Sequence, residues 1–391
     1  MMSPYRELWD LDPEVTYLNH GSFGPSPIEV RAAREAFSLQ AERQPMKFFC
    51  QRMEEQLTQT AEALAGFLKT DAGRLVLIDN ATFAMNIVAE SFSLSEGDQV
   101  LLTDHEYGAV RNIWQRRCRQ VGASVVTAKL PFPLDNDGIL TAIEGCLTDR
   151  TKLIVVSHIT SPTAAILPVT EICQRARHSG IAVAIDGPHA IAMLDVCPED
   201  IGCDFYCGSG HKWLCASFGS GFLWVHPKHH SSVRCPIESW GGSIAGRPAS
   251  WQDRINWLGT RDPAPLLSIS AAIEFLQRIG LDAFRRHAKS LVLEARRQLL
   301  ELDGAGPLCT PNPENVVSMC SVELPQPADW KPGFHGHPDP LQIELRDVHR
   351  IEIPVASWNG RRFLRISAHL YNSSDDVTRL IESLQSCKHL R

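Results

Sequence analysis

A large α/β domain, with a mainly parallel sheet sandwiched by helices, followed by a smaller α+β C-terminal domain, is predicted by two features of this 391-residue sequence. Between about residues 74 and 225, short aliphatic and β-branched runs alternate with helical patterns, as expected of parallel strands buried on both faces. Beyond about residue 262 the texture changes to two long amphipathic helices, DPAPLLSISAAIEFLQRIG and LDAFRRHAKSLVLEARRQLLEL, and then to short strands.

The elements follow in order. RLVLID (74–79) reads as a buried strand, and the helix after it as beginning near Phe83. QVLLT (99–103) precedes a helix around 108–121, and SVVTAKL (124–130) one around 138–146. KLIVVSH (152–158), a helix near 169–178 and IAVAID (181–186) repeat the unit. DFYCGSGHKW (204–213) and GSGFLWV (219–225) read as two further strands joined by a loop. A Pro- and His-rich loop (325–340), a strand in RRFLRISAH (361–369) and a final helix, DDVTRLIESLQSC, complete the chain, with Ser374 or Asp375 as the helix N-cap.

Composition removes several function classes. A net charge of −7 disfavours nucleic acid or an anionic membrane as partner. MMSPYRELWDLDPE lacks the basic and apolar regions of a signal peptide, and no run approaches the roughly 18 apolar residues of a membrane span. The twelve cysteines are scattered through apolar runs without a CxxC pair; they read as buried thiols in a reducing cytoplasm. HPKHH (226–230) and FHGHPD (334–339) lack the second ligand cluster of a metal site, so no metal is expected.

Ligands of open α/β sheets bind beyond the carboxyl ends of the strands, and four such ends carry unusual residues. Asp79-Asn80-Ala81-Thr82 opens a helix, whose free N–H groups suit a phosphate; an ordinary N-cap fits it too. Asp186 ends the apolar run IAVAI, where a carboxylate needs a cationic partner. That partner could be the protonated pyridinium of pyridoxal 5′-phosphate (PLP), although a metal ligand or N-cap would also satisfy the position. Lys212 stands among aromatic and small residues in FYCGSGHKWLCASFG, where burial would lower its pKa and make the amine nucleophilic. Ser209 and His211 flank it with donors for a phosphate. In Thr160-Ser161-Pro162-Thr163 a hydroxyl could meet the phenolic oxygen of the cofactor, or the segment is a plain Ser-Pro turn.

With these residues in view, the chain resembles the class V aminotransferase family of fold-type-I PLP enzymes, and within it the isopenicillin N epimerase-like branch. The resemblance rests on LNHGSFGPSP (18–27), NATFAMN (80–86), HEYGAVRN (105–112), SHITSPTAAILPV (157–169), IDGPHA (185–190), SGHKWLCASFGSGFLWV (209–225), GTRDPAP (259–265) and WNGRRFLRISAHLYN (358–372), in family order. It implies a segment 1–20 covering the active site, a PLP-binding domain at 21–265 and a small domain at 266–391. Lys212 would form the Schiff base, and Asp186 would pair with the pyridinium. Ala81, Thr82, Ser209 and His211 would hold the phosphate, with Thr260 reaching that of the neighbouring protomer in a homodimer with shared sites. Tyr107 would lie over one face of the cofactor, with His105 a weaker candidate, and His189 would line the other. Ser161 would approach the phenolic oxygen. Arg365 would bind the substrate α-carboxylate, since a guanidinium grips it bidentately. Asn19 and His20 would fold over the substrate, and Arg43 is a looser substrate-side candidate.

The expected reaction starts with removal of the Cα proton of an amino acid by the Lys212 amine. Return of a proton from the opposite face gives epimerisation and needs a second acid, for which Tyr107, His20 and His105 are candidates. Loss of a β-substituent makes the enzyme a C–S lyase, and protonation on the cofactor an aminotransferase. The persulfide chemistry of desulfurases is disfavoured, because PGFHGHPDPLQIELRDVHRIEIPVASWNG has no cysteine and Cys309 and Cys320 precede it. A non-catalytic regulator would need an appended DNA-binding domain, for which no basic helix-turn-helix segment is visible.

Overall fold

The structure, a computed structural model, describes residues 3–308, 316–333 and 337–390. Cys309 and residues 334–336 of the FHGHPD patch lie outside these ranges. After the two-residue β1 (Thr16–Tyr17), seven strands form the main sheet: β2 (Leu75–Ile78), β3 (Gln99–Thr103), β4 (Ser124–Ala128), β5 (Thr151–Ser157), β6 (Ala182–Asp186), β7 (Phe205–Ser209) and β8 (Gly221–Val225). Their order is β2-β8-β7-β6-β5-β3-β4. All run parallel except β8, which is antiparallel to β2 and β7.

Alternation along these strands feeds two separate cores. Leu75, Leu77, Leu101, Ile154, Val156, Val183, Ile185 and Trp224 pack on one face. Val76, Ile78, Val100, Leu102, Leu153, Val155, Ala184 and Leu223 pack on the other, against Met85, Val88 and Trp114 of the helices Ala81–Ser91 and Gly108–Val121. Both faces are therefore covered, and the strands read as unbroken apolar runs rather than alternating ones.

The second sheet joins β9 (Gly306–Pro307), β10 (Met319–Glu323), β12 (Val355–Trp358) and β13 (Arg361–Ser367) in the order β12-β13-β10-β9. Between them β11 (Ile351–Glu352) pairs in parallel with β1, so the N-terminal segment is stitched into the C-terminal part of the chain. Val292, Ala295, Val322, Leu364, Ile366 and Leu380 form the core there. It contains a buried ion pair: Arg362 grips Asp339 with two hydrogen bonds, one of them at 2.9 Å, and also donates to the carbonyls of Pro325, His389 and Leu390.

Three helix boundaries differ from the sequence reading. The helix expected around 138–146 spans Asn136–Glu144, because the Asp135 carboxylate caps it by accepting the Gly138 N–H at 2.8 Å. The helix expected from Phe83 begins at Ala81, because Asn80 supplies the cap: its Oδ1 accepts the Phe83 N–H at 2.9 Å. The last helix spans Ser374–Ser386 and is capped by Ser373 rather than Ser374 or Asp375. There the Asp376 carboxylate accepts the Ser373 N–H at 2.9 Å, so the reach of that side chain back to the preceding backbone sets the start. HPKHH forms a short helical turn in which Lys228 and His229 share Asp204, at 2.5 and 2.9 Å. Among the described residues no single helix is long and apolar enough to cross a membrane.

Candidate active site

The main sheet changes direction between β3 and β5, since the chain leaves β3 for β4 on one side and returns to β5 on the other. Ligands bind at such a switch point. Five strand ends converge there: β2 leads to Asn80, β3 to Tyr107, β5 to Ser161, β6 to Asp186 and β7 to Lys212. They line a cavity of about 630 Å³ together with Ala81, Thr82, His189, Ser209, His211 and the N-terminal residues Gly21, Ser22 and Phe23.

Asp186 is buried here, and Lys212 half-buried. Burial lowers the lysine to about 8, with the Arg365 charge acting in the same direction and Asp186 opposing it. Burial raises Asp186, and the Lys212 charge opposes that rise. Gly187, next to Asp186, has no alternative at its position, because a Cβ there would lie 2.2 Å from the Tyr206 ring.

The hydrogen-bond network also bears on the state of the amine. Trp213 donates its indole N–H to His189 Nδ1 at 3.3 Å, and an indole can only donate. Burial, reinforced by Lys212, holds the His189 pKa well below its ordinary value, so the ring is neutral and its proton sits on Nε2. That Nε2–H faces Lys212 Nζ at 3.1 Å. This contact favours the neutral amine over the ammonium, in the same direction as the lowered lysine pKa.

Arg365, on β13 of the second sheet, does not itself line the cavity but bonds Ser161 and Ser22, which do. Its Nη1 donates to the Ser161 carbonyl at 2.6 Å and to the Ser161 hydroxyl at 3.2 Å. Its Nη2 donates to Ser22 Oγ at 2.6 Å and Asn19 Oδ1 at 3.3 Å. The buried Nε has no partner among the described residues. Burial lowers its pKa to about 10, so it remains a cation at neutral pH.

The remaining expected residues divide. Ala81 donates its N–H to Ser209 Oγ at 3.1 Å, which puts the Ser209 hydroxyl at the start of the helix Ala81–Ser91. Thr82 and His211 border the same cavity; burial and the nearby Lys212 charge lower His211 to about 4 and keep it neutral. Tyr107 also borders the cavity, half-exposed at the start of the helix Gly108–Val121. His105 does not: it is buried against the Trp358 ring, 3.9 Å between centroids, and bonded to Asp104. His20 is fully buried behind the cavity, on the backbone of Lys212. Arg43 and Thr260 are exposed, and neither borders the cavity in this chain.

Sequence reasoning passed over Glu106. Its carboxylate is buried and accepts the hydroxyls of Thr103 and Ser157, each at 2.7 Å. Burial raises its pKa to about 7. A signal was present, a Glu directly before the site aromatic at a strand end, but its hydroxyl partner Ser157 is remote in sequence.

These residues fit PLP. An acid and an amine share one wall of the cavity, and a helix start with a hydroxyl beside it stands on another. Similarity to known proteins decides the family: the Aminotransferase class-V model matches residues 23–380. The chain belongs to the class V aminotransferase family. Its cofactor is PLP and it is an enzyme. It is 35% identical over 400 residues to isopenicillin N epimerase of Amycolatopsis lactamdurans, covering 97% of each chain. It is also 27% identical to the probable chloroplastic L-cysteine desulfhydrase of Arabidopsis thaliana, over 95% of this chain and 83% of that one. Among solved structures, a C-DES mutant with glycine covalently linked to its PLP cofactor aligns with a TM-score of 0.82 at 21% identity. That alignment spans 95% of this chain and 96% of the other, and it establishes fold type I for this family member.

Proposed function

We propose that this enzyme epimerises an amino acid or amino-acid derivative at Cα, with Lys212 removing the Cα proton and Tyr107 returning one from the opposite face. One observation carries the choice: of the three candidates for the second acid, Tyr107 borders the cavity, whereas His20 and His105 are buried away from it. The similarity to isopenicillin N epimerase supports the same reading.

When bound, PLP supplies an electron sink for the charge left at Cα. Asp186 would hold a proton at the ring nitrogen, and Ala81, Thr82, Ser209 and His211 would hold the phosphate. Ser161 would approach the phenolic oxygen, and His189 would line the cofactor face opposite Tyr107. Arg365 exchanges Ser22, Asn19 and Ser161 for the substrate α-carboxylate, a bidentate grip that orients the Cα proton toward Lys212. The low pKa of Lys212 leaves a useful fraction of neutral amine near pH 7 to 8.

A C–S lyase is the second reading, favoured by the similarity to the desulfhydrase; an aminotransferase is the third. Among the described residues no cysteine borders the cavity, which argues against a persulfide-forming desulfurase. We also infer a homodimer with shared sites: Thr260 faces solvent, and Phe218, Ile237 and Trp240 leave large apolar side chains exposed. The buried thiols Cys118, Cys173, Cys203, Cys207 and Cys215 fit a reducing cytoplasm.

Proton NMR in D2O tests the reaction, with PLP-loaded protein and a panel of L- and D-amino acids that includes cysteine. Deuterium at Cα together with the appearance of the enantiomer or epimer supports epimerisation. Tyr107→Phe should then keep deuterium entry while inversion falls about 100-fold or more, the usual loss for a general acid. Accumulation of a keto acid and ammonia with a released β-group means a lyase instead, and a keto acid with the β-group retained means an aminotransferase.

A further inference from the structure

We propose that His20 is a positioning residue that couples occupancy of Arg365 to the backbone of the lysine loop, through the N-terminal strap Asn19–Gly24. This rests on the reading of Lys212 and Arg365 given above.

The ring of His20 is fully buried and bonded at both nitrogens. Nε2 lies 3.1 Å from the Lys212 carbonyl, and Nδ1 lies 2.9 Å from the Tyr371 hydroxyl. A carbonyl only accepts, so Nε2 carries the proton. Burial pushes the ring down to about 3, which leaves it neutral with a bare Nδ1. The Tyr371 hydroxyl, whose pKa burial holds well above its ordinary value, donates to that nitrogen. The bonds therefore run one way, from Tyr371 through His20 to Lys212.

Both ends of this chain lead to Arg365. The neighbours of His20 on the strap, Asn19 and Ser22, hold Arg365 Nη2. Asn19 also bridges to Ser367, so the strap is attached to the strand that carries Arg365. Tyr371 follows β13 six positions beyond Arg365. At the other end, the Lys212 carbonyl also accepts the Cys215 N–H at 2.9 Å, closing the turn that presents the lysine. The strap lies tight on that turn: a Cβ on Gly24 would stand 2.7 Å from His20 Nε2 and 2.9 Å from the Lys212 oxygen. When a carboxylate takes the Arg365 donors, Asn19 and Ser22 lose their partner, and His20 transmits the change to the Lys212 turn.

His20, Cys215 and His369 also bring three metal-ligating atoms close together, but the geometry opposes an ion. The two imidazoles are stacked 4.2 Å apart with planes 23° from parallel, so an ion shared between them would sit well out of each ring plane.

The test is amide hydrogen exchange on the PLP-loaded protein, with and without saturating propionate as an unreactive carboxylate. In the wild type, propionate should change exchange of the Cys215 amide by about fivefold or more, the lower end of ordinary coupling. His20→Ala should abolish that response while PLP binding persists, and His20→Gln, which keeps a donor toward the Lys212 carbonyl, should restore part of it. Tyr371→Phe retains the ring volume and removes only the hydroxyl, so it should weaken the response even if His20→Ala folds poorly. A wild-type response retained in both His20→Ala and Tyr371→Phe overturns the coupling, as does a wild type with no response. In that last case the affinity of Arg365→Ala for propionate separates the two ideas. Weaker binding than wild type leaves the carboxylate reading standing alone, and equal binding removes it as well.

Discussion

The indole N–H of Trp213 reaches Nδ1 of His189 at 3.3 Å, so the residue that follows Lys212 in sequence decides which nitrogen of the facing imidazole carries the proton. Trp213 is completely buried, and no water competes for that bond. Trp213→Phe should preserve most of the packing and remove the donor. Nitrogen-15 spectra should then change from a single Nε2–H tautomer to a mixture. Cα-proton exchange should slow roughly tenfold, in line with the 1–1.5 kcal/mol typical of one buried hydrogen bond. An unchanged tautomer would show that Trp213 plays no such part.

Lys212→Ala should leave the fold intact and abolish the visible absorbance band of the lysine-bound cofactor. Persistence of the band in that variant would remove Lys212 from its assigned role. Asp186→Ala should retain some PLP but lose most Cα-proton exchange, by about 100-fold or more, because the ring nitrogen loses the carboxylate that keeps it protonated.

Glu106 should contribute to the pH dependence of stability. Burial raises its carboxyl from 4.5 to about 7, so the folded state binds a proton that the unfolded chain releases between those values. Stability therefore falls as pH rises through that window and levels off above it. Glu106→Gln cannot ionise, and should gain on the wild type by up to about 3 kcal/mol between pH 4.5 and 8. The buried His20 and His158, pushed down to about 3 and about 4, act with opposite sign and should make the fold acid-sensitive below about pH 6.5. They are common to both proteins, so urea melts of the pair across pH isolate Glu106. Parallel pH profiles for the two would refute the assignment.

Arg362→Ala should be the most damaging single change in the second sheet. It leaves Asp339 charged, buried and without its bidentate partner, a situation that typically costs about 3–5 kcal/mol. Chemical denaturation should detect the loss. Arg361→Ala, whose guanidinium lies 3.6 Å from the Phe132 ring centroid and pairs with the more exposed Glu323, should cost about 1 kcal/mol or a little more.

The strands were legible because each is a short apolar run between breakers, and QVLLT at 99–103 coincides with its observed limits. Lys212 and Asp186 were legible for the opposite reason, as charges in runs too apolar to hold them unpartnered. What failed was side-chain direction. His105 and Tyr107 are two positions apart at one turn, yet one packs inward on Trp358 and the other borders the cavity. That outcome is set by a tryptophan more than 250 residues away, which local sequence does not register. Glu106 escaped for the same reason, since its burial is made tolerable by the hydroxyl of Ser157 on a different strand. In RRFLRIS two arginines are buried on opposite faces of one strand, Arg362 and Arg365. Period-two reasoning assigns one face to the interior and misses the other.

The contact between Asn19 and Arg365 joins residues 346 positions apart. During synthesis at about 5–20 residues per second, the strap emerges roughly 20–70 s before the arginine it holds. Within that interval, once Val225 has emerged, the nascent chain holds every strand of the main sheet but lacks the arginine proposed to grip a substrate carboxylate. Loaded with PLP at that stage, it would hold the cofactor on Lys212 without the arginine proposed to select amino acids over other amines. On the proposed role of Arg365, selectivity is among the last properties the ribosome delivers.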